Sequence, residues 1–206
     1  MADDGRFLVS GWEDDLNDID SNRNPEEKTE KSFMKAAEDG KLERIKALLK
    51  VNSTLIHITD KDGYTPLHRA CYGNHVEVVR FLLEKGADIG AKTDVKWEPL
   101  HSCCHWNHKE AGATLIQWGA DVNAESEGGQ TPLHIAAVHG ADYDLAQMIL
   151  MHPYVNPNKL NNSNDTPSDI AKRSSKYYNI FDMADPLLDL ANLELLDGTK
   201  EDEKNI

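Results

Sequence analysis

"YTPLHRACYGNHVEVVRFLLEKGAD", residues 64–88, returns as "WEPLHSCCHWNHKEAGATLIQWGAD" at 97–121 and as "QTPLHIAAVHGADYDLAQMILMHPY" at 130–154. The histidines fall at 68, 101 and 134, so the period is 33 residues twice over. Self-similarity at a fixed period of this size marks a chain of stacked supersecondary units. Upstream, "SFMKAAEDGKLERIKALLKVN" repeats the small-residue pair and the paired leucines, with Ala36 standing 34 residues before Ala70. Downstream, "DTPSDIAKRSS" echoes the start of the unit once more, with Asp169 standing 35 residues after His134.

One unit can be read residue by residue. Thr65 followed by Pro66 predicts a helix start: a capping hydroxyl, then a proline where the missing N–H costs nothing. Leu67, Ala70 and Cys71 give one large and two small apolar groups on the inner face of a short helix. After a break at Gly73-Asn74, Val76, Val79, Leu82 and Leu83 recur at helical spacing, which predicts a second amphipathic helix. Gly86, able to take positive φ, ends it. A helix pair this small cannot bury its apolar face alone, so neighbouring units must stack.

These residues resemble the ankyrin repeat family, whose signature T-P-L-H-x-A, G-A-D turn and 33-residue period cover about 34–181. The resemblance implies an all-α solenoid of helix–turn–helix units joined by β-fingers, with three full repeats between degenerate capping repeats. The expected organisation is an acidic, disordered tail over 1–30, a repeat domain with C-terminal capping helices over 31–197, and an acidic tail over 198–206. In the family the motif histidine forms backbone hydrogen bonds that tie neighbouring units, which implies that role for His68, His101 and His134.

The departures are informative. Lys96 sits where a finger-turn glycine is usual, so that turn is expected to change its backbone or carry strain. Glu98 replaces the capping threonine and is expected to act through its charge at the helix N-terminus. Gly112, inside a second helix, weakens that helix by roughly 1 kcal/mol relative to alanine. The segment from Asn156 to Asp169 is longer than its counterpart and rich in asparagine and proline, so a looser last finger is expected.

"VKWEPLHSCCHWNH", residues 95–108, is the densest cluster of metal-capable side chains. The repeat offers a structural reason for most of it. His101 is the motif histidine, and Cys103-Cys104 fill the small positions held by Ala70-Cys71 and Ala136-Ala137, where a thiol serves as a small hydrophobe. Zinc needs converging ligands, and adjacent residues on a helix point about 100° apart. A metal-binding or catalytic protein built on 101–108 is the competing class. No cofactor is expected, and no G-x-S-x-G, H-E-x-x-H or glycine-rich phosphate loop points to an enzyme.

Binding is the better reading. By the family's geometry the fingers and short helices line one concave face that contacts protein partners. Tyr64, Tyr72, Trp97 and Trp106 are expected to form a contiguous aromatic strip there, with His105 and His139 beside them and Lys61, Asp62 and Asp94 setting the charge preference. Aromatics of this kind dominate interface energetics. Trp118, at the end of an outer helix, is expected to serve packing.

Charge sharpens the choice of partner. The net charge is −14, yet residues 1–30 carry −7, residues 182–206 carry −6, and the middle only −1. No region offers the basic surface that phosphate backbones require, so direct nucleic-acid binding is not expected. No apolar run approaches the roughly 20 residues that span a bilayer, and the N-terminus has no apolar secretory core. Three cysteines are too few for a disulfide framework, which points to a reducing compartment, nuclear or cytoplasmic, and the solenoid is expected to be monomeric. An alternative role is chaperone or inhibitor of a basic partner through the acidic tails. "FLVSGWEDDLNDID" at 7–20 reads as a segment that folds on a partner, with Ser10 placed for an acid-directed kinase.

Leu187, Leu190, Leu193 and Leu195 match leucine-rich export signals and equally match a capping helix, which is the favoured reading. Leu190→Ala/Leu193→Ala separates the two. A capping helix predicts a lower melting temperature with unchanged localisation; a shift in localisation at unchanged stability would identify an export signal.

Overall fold

The computed structural model describes residues 28–138, 144–174 and 178–181. The segments 7–20 and 187–195, both tails and His139 lie outside them. Nine helices occur among the described residues: α1 (Lys28–Glu38), α2 (Leu42–Val51), α3 (Pro66–Tyr72), α4 (Val76–Glu84), α5 (Pro99–His105), α6 (Lys109–Gln117), α7 (Pro132–Ala136), α8 (Asp144–Leu150) and α9 (Pro167–Ser174). Short 3₁₀ turns follow α2 at Ser53–His57 and α9 at Tyr178–Ile180. No strand occurs among the described residues, so the fold is an all-helical repeat solenoid and the expected β-fingers are tight loops.

The helices run from five to eleven residues, too short to persist alone in water. They persist by stacking in two layers. The inner helices α1, α3, α5, α7 and α9 pack in succession, and α4, α6 and α8 pack behind them. Each stack is a column of equivalent positions. Leu67, Leu100 and Leu133 are fully buried, one per unit, each stabilising by about 1.5–3 kcal/mol. The small positions Ala36-Ala37, Ala70-Cys71, Cys103-Cys104 and Ala136-Ala137 are buried throughout; they let inner helices approach closely. Cys103 and Cys104 are thus core residues.

Between units the chain makes a finger of fixed geometry. Backbone N–H groups of Asp60, Thr93, Ser126 and Asn161 donate to the carbonyls of Tyr64, Trp97, Gln130 and Asp165 at 2.9–3.0 Å. The last finger is as tight as the others, contrary to expectation, because Asn161 Oδ1 also accepts from Ser163 and Asp165 N–H. Its extra length sits before the finger. The residue preceding each closing carbonyl is left-handed: Gly63, Lys96, Gly129 and Asn164 have φ of 82, 60, 67 and 60°. Lys96 therefore keeps the glycine backbone and carries the strain of a Cβ there.

Gly112 changes meaning in three dimensions. A Cβ added to it would lie 2.7 Å from Leu145 Cδ1 and 3.0 Å from Cδ2. Leu145 is fully buried at the equivalent position of the next unit, so the missing side chain of α6 makes room for the large one of α8. Gly112→Ala gains helix propensity of roughly 1 kcal/mol but forces the fully buried Leu145 side chain to repack, at about 1–3 kcal/mol. The net expectation is destabilisation, read as a lower urea midpoint at unchanged m-value; a higher midpoint would refute the packing argument.

Candidate partner-binding face

The histidine ladder positions this face. Nδ1 of His68, His101 and His134 accepts from the N–H of Thr65, Glu98 and Thr131, each at 3.1 Å. Nε2 of the same rings donates to the carbonyls of Trp97, Gln130 and Asp165 in the next finger, at 3.0, 3.1 and 3.1 Å. An acceptor need on one nitrogen and a donor need on the other hold each ring in the neutral Nε2–H form. Glu98 keeps the backbone half of this arrangement, but it is buried, not an exposed terminal charge. Burial raises its carboxyl above the usual range, partly offset by Lys92 3.6 Å away. In the last unit Asp169 replaces histidine: its carboxylate still accepts from Thr166 N–H at 3.0 Å and Oγ1 at 2.7 Å.

A second histidine ladder escaped the sequence reading. His75 Nε2 bonds the Glu38 carbonyl at 2.8 Å, and His108 Nδ1 bonds the Cys71 carbonyl at 2.9 Å. Each anchors the start of an outer helix to the end of the preceding unit's inner helix. Their 33-residue separation was the available signal.

Above these ladders lies the aromatic strip. Tyr72 and Trp106 meet edge-on with centroids 5.1 Å apart, and Trp106 meets His105 edge-on at 4.9 Å. Trp97 tilts against His105 at 5.3 Å and stacks on the buried His101 at 6.3 Å. Tyr72 and His105 hold equivalent positions in adjacent units, and Trp106 fills the gap between them. All four rings are half-buried.

Tyr64 does not belong to the strip. It is 5% exposed, packs its ring edge against His68 at 5.5 Å, and is covered by the Arg69 guanidinium at 5.7 Å. Asp60 Oδ1 accepts from the Tyr64 N–H at 2.9 Å, as Thr93 Oγ1 accepts from the Trp97 N–H at 3.0 Å; what sets Tyr64 apart is the Arg69 cover over its ring. Trp118 differs in the other direction: it ends α6 at 46% exposure, not packed away. Met151, Tyr154 and Val51 are also exposed apolar residues that the pattern did not reveal.

Asp62 and Asp94 sit on neighbouring fingers, joined by the Asp94 N–H to Asp62 carbonyl bond at 2.9 Å. Partial burial raises the Asp62 carboxyl, and Asp60 and Asp94 add to the effect while Lys61 and Arg69 oppose it. Arg69 bridges Asp60 at 2.5 Å and Glu38 at 3.5 Å.

Reactive or metal chemistry finds little support at 101–108. Both ring nitrogens of His101 are engaged, and all three cysteines are free and buried. Burial pushes the Cys71 and Cys104 thiols well above their usual range, away from the thiolate that reacts or binds metal. Among the described residues no cluster of three or more His, Cys, Asp or Glu side chains is arranged to hold a metal ion. No described helix is long and apolar enough to cross a membrane.

A family model of ankyrin repeats matches the chain three times, over residues 6–93, 33–126 and 90–161. The chain belongs to the ankyrin repeat family, whose repeats build protein–protein interaction domains. Within that family it is similar to Ankyrin repeat domain-containing protein 49 of Drosophila melanogaster, with 45% identity over 184 residues, 89% of this chain and 86% of that protein. It is 53% identical over 150 residues to the Homo sapiens protein of the same name, covering 73% of this chain and 63% of the human one. The human 26S proteasome non-ATPase regulatory subunit 10 matches over only 61 residues, at 41% identity, 30% of this chain and 27% of that protein.

Burial lowers the pKa of His68 and His101 from 6.5 to about 4. The folded state thus favours the neutral ring. The stabilisation is complete above about pH 6.5 and is lost as pH falls towards 4, on the order of 3 kcal/mol per histidine. Urea unfolding should show stability falling across that window, and imidazole proton NMR should show both rings still neutral at pH 5. Either ring titrating near 6.5 would contradict the ladder.

Proposed function

We propose that this chain is a non-catalytic adaptor that holds a protein partner on the face lined by its inner helices and fingers. The supporting observation is the row of Tyr72, Trp106, His105 and Trp97. Four adjacent rings are left half-exposed across two units, Trp97 also packing against the core beneath them. Rigid aromatics of this kind give much contact area at low entropic cost on binding. Lys61, Asp62 and Asp94 border the row and select the charge of what lies on it. The adaptor works as a monomer in the nucleus, the cytoplasm or both, a reading supported by its unpaired cysteines and its family resemblance.

Affinity capture from native extract with wild type and with Trp97→Ala/Trp106→Ala tests this. The variant should lose at least one partner recovered by wild type while keeping its far-UV circular dichroism spectrum. Equal recovery of every partner by the folded variant would sink the proposal.

A further inference from the structure

The strip offers four half-exposed ring faces, and such π faces attract apolar or cationic groups. The surrounding charges decide between them. Asp60, Asp62 and Asp94 come together on the two fingers beside Trp97, and Asp62 is partly buried among them. Arg69 is already engaged with Asp60 and Glu38, and Lys92 is engaged with Glu98. Burial is the main force raising the Asp62 carboxyl; Asp60 and Asp94 add to it, and Lys61 and Arg69 offset it only in part. An incoming cation would therefore favour the carboxylate, whereas an incoming carboxylate would oppose it. The whole molecule acts in the same sense, since residues 1–30 and 182–206 carry −7 and −6 and draw cationic partners from solution. The same repulsion disfavours docking of this chain's own "EDDLNDID" at 13–20. Between the two basic side chains, a planar guanidinium both stacks on an aromatic face and forks onto a carboxylate, which an ammonium does not.

Building on the adaptor reading above, we infer that the strip takes an extended segment of a partner protein bearing arginines, which stack on the Trp97–His105–Trp106 rings and reach the Asp62 carboxylate. The rings give the segment its place, and Asp62 with the acidic ends gives it its sign. Binding therefore weakens with salt but does not vanish, because the stacking contribution is little screened.

The probe is a short labelled glycine–serine peptide carrying spaced arginines, with lysine and glutamate counterparts, titrated against the full chain by fluorescence anisotropy at low and physiological salt. The arginine peptide should bind best and the glutamate peptide least. Trp97→Ala/Trp106→Ala should weaken arginine binding by about tenfold. Asp62→Asn, a fingertip change checked by an unaltered melting curve, should weaken it by roughly fivefold. Wild-type affinity in both variants would assign the binding to the acidic ends and overturn the inference, as would a glutamate peptide binding equally well. Should the tryptophans matter for capture from extract while arginine is not preferred, this inference falls and the adaptor reading stands. Should neither experiment respond to the tryptophans, both fall.

Discussion

Each of His68, His101 and His134 carries one ring proton, buried between two units, and places it on a carbonyl of the following finger. The rest of the structure depends on that bond. A solenoid has no distant contacts to correct an error in stacking, so every interface must define its own register. The histidine does so by reading two backbone groups at once: the N–H at the start of its own helix and the carbonyl closing the next finger. In the first interface that carbonyl belongs to Trp97. The hydrogen bond that joins the unit of His68 to the next thereby also sets the base from which the Trp97 ring extends over α5.

With the register set, variation between units becomes tolerable and in places useful. Column positions trade size across an interface, as when Gly112 yields space to Leu145. Lys96 adopts the left-handed backbone of Gly63 and Gly129 because hydrogen bonds on both sides of the finger leave it no other. Glu98 is the largest departure, a carboxyl in a buried cap that Lys92 only partly compensates. Two departures, Lys96 and Glu98, flank Trp97 directly, and the cluster at His105-Trp106 follows one helix later. Of the three full units, the one that strays furthest carries three of the strip's four rings, Trp97, His105 and Trp106.

Much of this could be read from residue order. The period placed His68, His101 and His134 in one column, assigned Cys103-Cys104 to the core, and set Trp106 near Tyr72. Side-chain direction at the fingers could not be read in the same way. Tyr64 and Trp97 hold the same repeat position, yet one turns under an arginine and the other lies half-exposed along α5. The difference comes from Arg69, whose counterpart in the next unit is Ser102, too short to cover a ring. Trp118 likewise depended on which residues surround a helix end, and its neighbours in sequence do not report that.

The sequence by itself determined the repeat, its helix pairs and the chemistry of each interface, because those are local: a cap, a proline, a period and a small-residue pair act within one unit. The tertiary structure decided which aromatics face outward, why α6 carries a glycine, and that His75 and His108 form a second ladder. The glycine and the second ladder depend on atoms 33 and 37 residues away along the chain, brought into contact only when unit stacks on unit. The aromatics depend on how the folded finger sets a ring against a nearby arginine.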